Sequence, residues 1–182
     1  MSKLFLVRLF IFILLISGIF FVFYKVKPIP KPDIENISTT QEIVDIRKPP
    51  EGMLEYHNTT YHFSLFYPDH LSVNERLEGE GAITITFQNI QGGQGFQIFI
   101  IPYSKSQVDE ERFKKDIPSG TRTDLVDVEV DGAVGASFYS MDSFLGETKE
   151  IWFVKNNFLY EVTTLKSLDN WLSQIIQTWE FI

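Results

Sequence analysis

Three carboxylates at alternate positions, Asp127, Glu129 and Asp131, are the sharpest chemical signal in this 182-residue chain. Val126, Val128 and Val130 occupy the positions between them. A strand here places the acids on one face and the valines on the other. Oxygen donors in a row suit a hard divalent cation, and Asp127-x-Glu129-x-Asp131-Gly132 opens like a calcium-binding loop. Such a loop needs a bidentate glutamate at its twelfth position, which here is Phe138. The valine alternation also favours a strand over a loop. The plainer reading is a solvated strand face, and the three acids stand as a candidate cation face.

The other reactive residue types form weaker patterns. His57, His62 and His70 are the only histidines. Two of them flank Asn58-Thr59-Thr60 and the third follows Asp69, a spacing that fits edge histidines better than a zinc or copper pair. No cysteine is present, which removes disulfides, thiolate metal sites, thiol nucleophiles and cysteine lipidation together. A nucleophilic serine has no Gly-x-Ser-x-Gly elbow to hold it. Gly92-Gly93-Gln94-Gly95 lacks the Lys-Ser/Thr of a phosphate loop and leads into a strand rather than a helix. Glu78 and Glu80 lie beside Gly79 and Gly81, which suits a solvent turn better than an acid/base pair. No catalytic constellation emerges, no cofactor is expected, and the chain is read as a non-enzyme.

Aromatic residues could carry binding instead. Phe87, Phe138, Phe153 and Trp171 sit at core-facing positions. Phe66, on the weaker face of its strand, and Phe144, in the turn from Asp142 to Gly146, do not. Exposed aromatics mark contacts, so Phe66 and Phe144 are the candidate interface residues. Asn36-Ile37-Ser38 and Asn58-Thr59-Thr60 match the N-glycosylation pattern, which matters only in a eukaryotic secretory setting.

Charge and hydropathy place these residues. The formal charge is −8, with 16 basic and 24 acidic side chains. Residues 1–31 hold Lys3, Arg8, Lys25, Lys27 and Lys31 and no acid, a sum of +5; the other 11 basic and 24 acidic side chains leave residues 32–182 at −13. So acidic a body argues against a nucleic-acid partner, which needs a basic face. Leu9 to Tyr24 is apolar except for Ser17 and Gly18. At ~1.5 Å per residue the stretch from Leu4 to Val26 spans a ~30 Å hydrocarbon core, with Arg8 and Lys25 able to snorkel. A cleaved signal peptide needs small residues before the cut, and Lys25-Val26-Lys27-Pro28 offers none. Residues 1–26 are therefore expected to form an uncleaved membrane anchor. Basic residues flank it almost equally. The shortness of the head favours a cytoplasmic N-terminus and an extracytoplasmic C-terminal domain.

Residues 27–54 contain five of the eight prolines and read as a semi-rigid stalk. Ser38 to Arg47 fits either a short strand or a helical turn. Residues 55–182 read as a folded domain of short β runs: Tyr61–Tyr67, Leu71–Val73, Ile83–Phe87, Phe96–Ile101, Leu125–Val130, Val134–Phe138, Glu147–Val154 and Phe158–Thr164. Asp131-Gly132 and Asn156-Asn157 mark two tight hairpins. Ser106 to Asp116 reads as a short helix capped by Ser106 and stopped by Pro118. Leu168, Trp171, Leu172, Ile175, Ile176 and Trp179 follow the spacing of one core-facing helix stripe, with Ser167 as cap and a terminal strand near Ile182. The expected fold class is α+β, an antiparallel sheet of about seven strands packed with helices and preceded by one N-terminal transmembrane helix.

Tyr61-His-Phe63-Ser-Leu65-Phe-Tyr67-Pro68 resembles the opening strand of PsbP-like domains. The close is similar too, where a hairpin ending in Leu159-Tyr160-Glu161-Val162 precedes a Leu- and Ile-bearing helix and a Phe-containing tail. The resemblance covers about residues 56–182 and implies an antiparallel sheet sandwiched by helices. The family's best-known members are extrinsic subunits of photosystem II, and many bacterial relatives are membrane-anchored or secreted without assigned activity. No residue matches a manganese, calcium or chloride site, and the expected anchor argues against the photosynthetic role. The expected function is a membrane-anchored, extracytoplasmic, non-catalytic module that binds another envelope protein or assists a membrane complex. A small-ligand or cation binder is the alternative, and an enzyme of unrecognised motif the weaker one.

Overall fold

A computed structural model describes residues 47–182. The expected membrane anchor and all but the last eight residues of the expected stalk lie outside the described residues. Among the described residues no helix is long and apolar enough to cross a membrane.

Among the described residues ten strands form two antiparallel sheets. The smaller holds β1 (Met53–Asn58), β2 (Phe63–Pro68) and β10 (Glu180–Phe181), in the order β1-β2-β10. The larger holds β3 (Ser72–Gly79), β4 (Ala82–Asn89), β5 (Gln94–Pro102), β6 (Thr123–Val130), β7 (Ala133–Asp142), β8 (Gly146–Lys155) and β9 (Phe158–Leu165). Its order is β3-β4-β5-β9-β8-β7-β6, so β5 and β9 join two meanders by a long-range antiparallel pair. Two short helices complete the domain, α1 (Glu110–Asp116) and α2 (Asp169–Ile176).

Local chemistry sets the hairpins. Asp131 and Gly132 have φ of 44° and 71°, and Asn156 and Asn157 have 52° and 62°. Both central residues thus take the left-handed conformation that a tight two-residue hairpin requires. Glu80-Gly81 makes a third such turn between Gly79 and Ala82, which the composition alone leaves as an undefined solvent loop.

The large sheet separates two cores. On one face Ile83, Ile85, Phe87, Ile98, Ile100, Phe153, Tyr160 and Val162 pack against the small sheet and α2 through Phe63, Leu65, Leu172, Ile175 and Trp179. On the other, Phe99, Phe138, Trp152 and Leu159 receive Phe113 and Ile117 at the end of α1. Coverage on both faces explains the continuous apolar run in β5, where Ile98 to Ile101 are all buried.

Several expectations are corrected. Among the described residues the strands number ten in two sheets, not about seven in one. Strand β2 is central in the small sheet and buried on both faces, so Phe66 is only 8% exposed and is no surface aromatic. Helix α1 begins at Glu110, not Ser106, because Asp109 supplies the cap by accepting from the Arg112 amide at 2.9 Å. Ser167 does not cap α2; a 3-10 turn, Lys166–Leu168, leads straight into it. Trp179 fits the helical spacing yet lies beyond the helix. Thr178 ends the turn, its hydroxyl donating to Ile175 O at 2.7 Å and accepting from Phe66 N at 2.8 Å. That redirects the chain, and Trp179 stacks on Phe63 with centroids 4.3 Å apart. The expected terminal strand follows as β10.

Candidate functional site

Two places outside the apolar cores concentrate polar side chains: a buried cluster under α1 and an open cleft beside α2.

The cluster is made by three elements. Neighbouring strands β8 and β9 place Glu150 opposite Thr163 and Trp152 opposite Glu161, all directed toward α1. Helix α1 lowers Arg112 onto them. Its guanidinium donates to Glu161 Oε1 from Nη2 at 2.9 Å and from Nε at 3.2 Å, and it forms an ion pair with Asp116. All three side chains are buried, Arg112 at 7% exposed and both acids at 2%. Glu150 Oε1 accepts from Thr148 Oγ1 at 2.8 Å; Oε2 accepts from Thr163 Oγ1 at 2.7 Å and from Trp152 Nε1 at 3.1 Å. Burial pushes the Glu150 carboxyl up to about 7, and Glu161 nearby adds to the rise, while the three donors oppose it. Such a carboxyl exchanges its proton near neutral pH. Its oxygens, however, are taken by protein donors under a packed helix, so the arrangement ties α1 to the sheet.

The cleft has a different character. It encloses about 260 Å³ between α2 and the β6-β7-β8 end of the large sheet. Val126, Val128 and Val130 form one wall, Ile151 and Ser137 the floor, and Ile176 and Ser173 of α2 the other wall. Strand pairing explains the alignment, because Val126 lies opposite Ser137 and Ser137 opposite Ile151. Lys149 closes one end. It sits 3.4 Å from Asp169 and 4.7 Å above the Tyr139 ring, whose hydroxyl donates to Asp169 at 2.5 Å. Accepting that bond, Asp169 pushes the Tyr139 hydroxyl pKa up, with burial adding.

The sequence candidates are scattered. Asp127 and Glu129 are exposed on β6, the last strand of the large sheet. Asp131 is in the hairpin turn and accepts from the Phe181 amide at 2.7 Å, so it pins β10 and departs from the strand face assumed for it. Among the described residues no three of His, Asp and Glu converge as a metal site. His57, His62 and His70 are all exposed, and His70 Nε2 lies 2.9 Å from Gln94 Oε1. Phe144 stands 63% exposed in the β7–β8 turn, where Asp142 Oδ1 accepts from the amides of Phe144 and Leu145. Glu78, expected in a solvent turn, belongs to β3, where Arg76 and Thr84 hold its carboxylate. Sequence reasoning missed Arg112, Glu150, Glu161, Lys149 and Tyr139. A visible signal existed for one of them, since Glu161 interrupts the apolar run Phe158-Leu159-Tyr160-Glu161-Val162, whereas Glu150 follows the polar Glu147-Thr148-Lys149.

No family model matches the chain, and no curated protein matches it. Solved structures do match. The solution structure of cyanobacterial PsbP from Synechocystis sp. PCC 6803 superposes with a TM-score of 0.51 at 12% sequence identity, covering 72% of this chain and 93% of that one. At that identity the likeness concerns architecture, and the domain described here has the PsbP-like fold.

Proposed function

We propose that the chain is a non-catalytic accessory module, held to a membrane by residues 4–26, whose folded domain binds another envelope protein. The observation that carries this reading is the uncovered apolar flank of the large sheet, where Leu125 is 55% exposed and Val126 54% beside the cleft. Exposed apolar groups gathered at one end of a sheet mark a contact surface. The cleft is small against the ~300–1,000 Å³ of small-molecule sites, which favours a groove for a partner's side chains over a metabolite pocket. Resemblance to a family known for extrinsic subunits of a larger complex points the same way.

A photo-crosslinking residue at Leu125, and a second at Phe144, tests this in native membranes with mass-spectrometric identification. A discrete protein adduct at Leu125 supports the reading. Absence of any adduct above background at both positions, together with a rise in Tm on adding calcium or a metabolite, overturns it.

A further inference from the structure

We infer that β6 is a docking edge for an extended segment of the partner in which apolar and basic residues alternate. The inference rests on the protein-binding reading above and names the chemistry of what binds.

Strand β6 ends the order of the large sheet, so among the described residues its outer edge pairs with no strand. Such an edge presents N–H and C=O groups to any extended chain. Its two faces differ in chemistry. Val126, Val128 and Val130 line the cleft, with Glu129 also at its border. Strand alternation sets Asp127 and Glu129 on the other face, exposed and in no ion pair among the described residues. Most other acids near the sheet are engaged: Glu147 with Lys166, Asp169 with Lys149, Glu110 with Arg122. A strand laid beside β6 would set alternate side chains over the cleft, where apolar groups are favoured. The side chains between them would meet Asp127 and Glu129, where cations are favoured.

Local geometry fixes the length. A bulge between Thr123 and Val126, with Asp124 at φ of 53°, interrupts the ladder at one end. The Asp131-Gly132 turn closes the other. Val126 to Val130 remain, about 17 Å of regular strand, an ordinary pairing length. The same acids disfavour a second copy of this chain as occupant, because like charges directly opposite destabilise a pair.

The test uses the full chain in lipid nanodiscs and a fluorescent capped heptapeptide of alternating Lys and Val. Fluorescence anisotropy should show binding that weakens at least about tenfold when alternate peptide amides are N-methylated, a change that removes ladder hydrogen bonds and keeps the charge. Asp127→Lys with Glu129→Lys should weaken it about tenfold and confer binding to the alternating Glu-Val peptide. Glu80→Lys, in a distant exposed turn, should leave it unchanged. Equal binding of the N-methylated peptide, no effect of the β6 substitutions, or no binding of the parent peptide each overturns strand addition. A protein adduct at Leu125 in membranes alongside any of those results leaves the protein-binding reading standing and removes only this one.

Discussion

Replacing Glu150 by glutamine tests the physical account of the cluster beneath α1. Glutamine keeps the shape. Its carbonyl oxygen can accept from Trp152 and Thr163, and its amide can donate to the Thr148 hydroxyl, which lies 2.8 Å from Oε1 in the native protein. What it removes is ionisation. Burial raises the native carboxyl from 4.5 to about 7, so between those values the folded chain keeps a proton that the unfolded chain has released. Stability contributed by the neutral group is therefore complete below pH 4.5, declines as pH rises through the window, and is gone above about pH 7. At about 1.4 kcal/mol per pKa unit, the full decline is about 3 kcal/mol. Urea denaturation of the native protein and Glu150→Gln from pH 4.5 to 8.5 should give a difference near zero at the acid end. It should grow to about 3 kcal/mol in favour of glutamine at the alkaline end. Taking the difference cancels every other titrating group. A difference independent of pH would refute the assignment of a raised carboxyl to Glu150.

The remaining predictions concern packing. Arg112→Met removes the cation shared by buried Glu161 and Asp116 and should cost about 3–5 kcal/mol, recovered in part by adding Glu161→Leu; a loss under about 1 kcal/mol in urea denaturation contradicts the pairing. Gly135→Ala should destabilise at the top of the ~1–3 kcal/mol overpacking range, because an added Cβ would lie 2.1 Å from Trp152 O and 2.6 Å from Phe153 Cβ. Thermal denaturation reads it directly. Phe144→Ser should leave Tm within a degree or two, since that ring is 63% exposed.

How much of this was legible beforehand depended on the range of the interaction. Most strand positions were, because alternation such as Ile83, Ile85 and Phe87 reports burial two residues at a time. The Asp131-Gly132 and Asn156-Asn157 turns were legible because their backbone angles restrict the residues that fit. Ser106 and Asp109 could each cap a helix, and the difference lay in where the following turns packed. Phe66 looked exposed because one strand's alternation cannot report that its second face is covered too; Phe66 is buried yet belongs to neither apolar core. Glu161 announced itself only as an oddity in an apolar run, and Glu150, after Glu147-Thr148-Lys149, not at all. Their meaning required Arg112, which is 49 residues from Glu161 in the chain.

The sequence by itself determined the strand segments, the tight hairpins, the acidic character of the body and the chemistry each residue could offer. Those properties are local, set by side-chain period, turn conformation and charge. Only the tertiary structure decided that β6 would be an edge, that its valines would wall a cleft and that Asp131 would tie down the last strand. It alone buried one arginine among carboxylates. Such outcomes depend on which distant surfaces meet, and the long-range pairing of β5 with β9 brings those surfaces together.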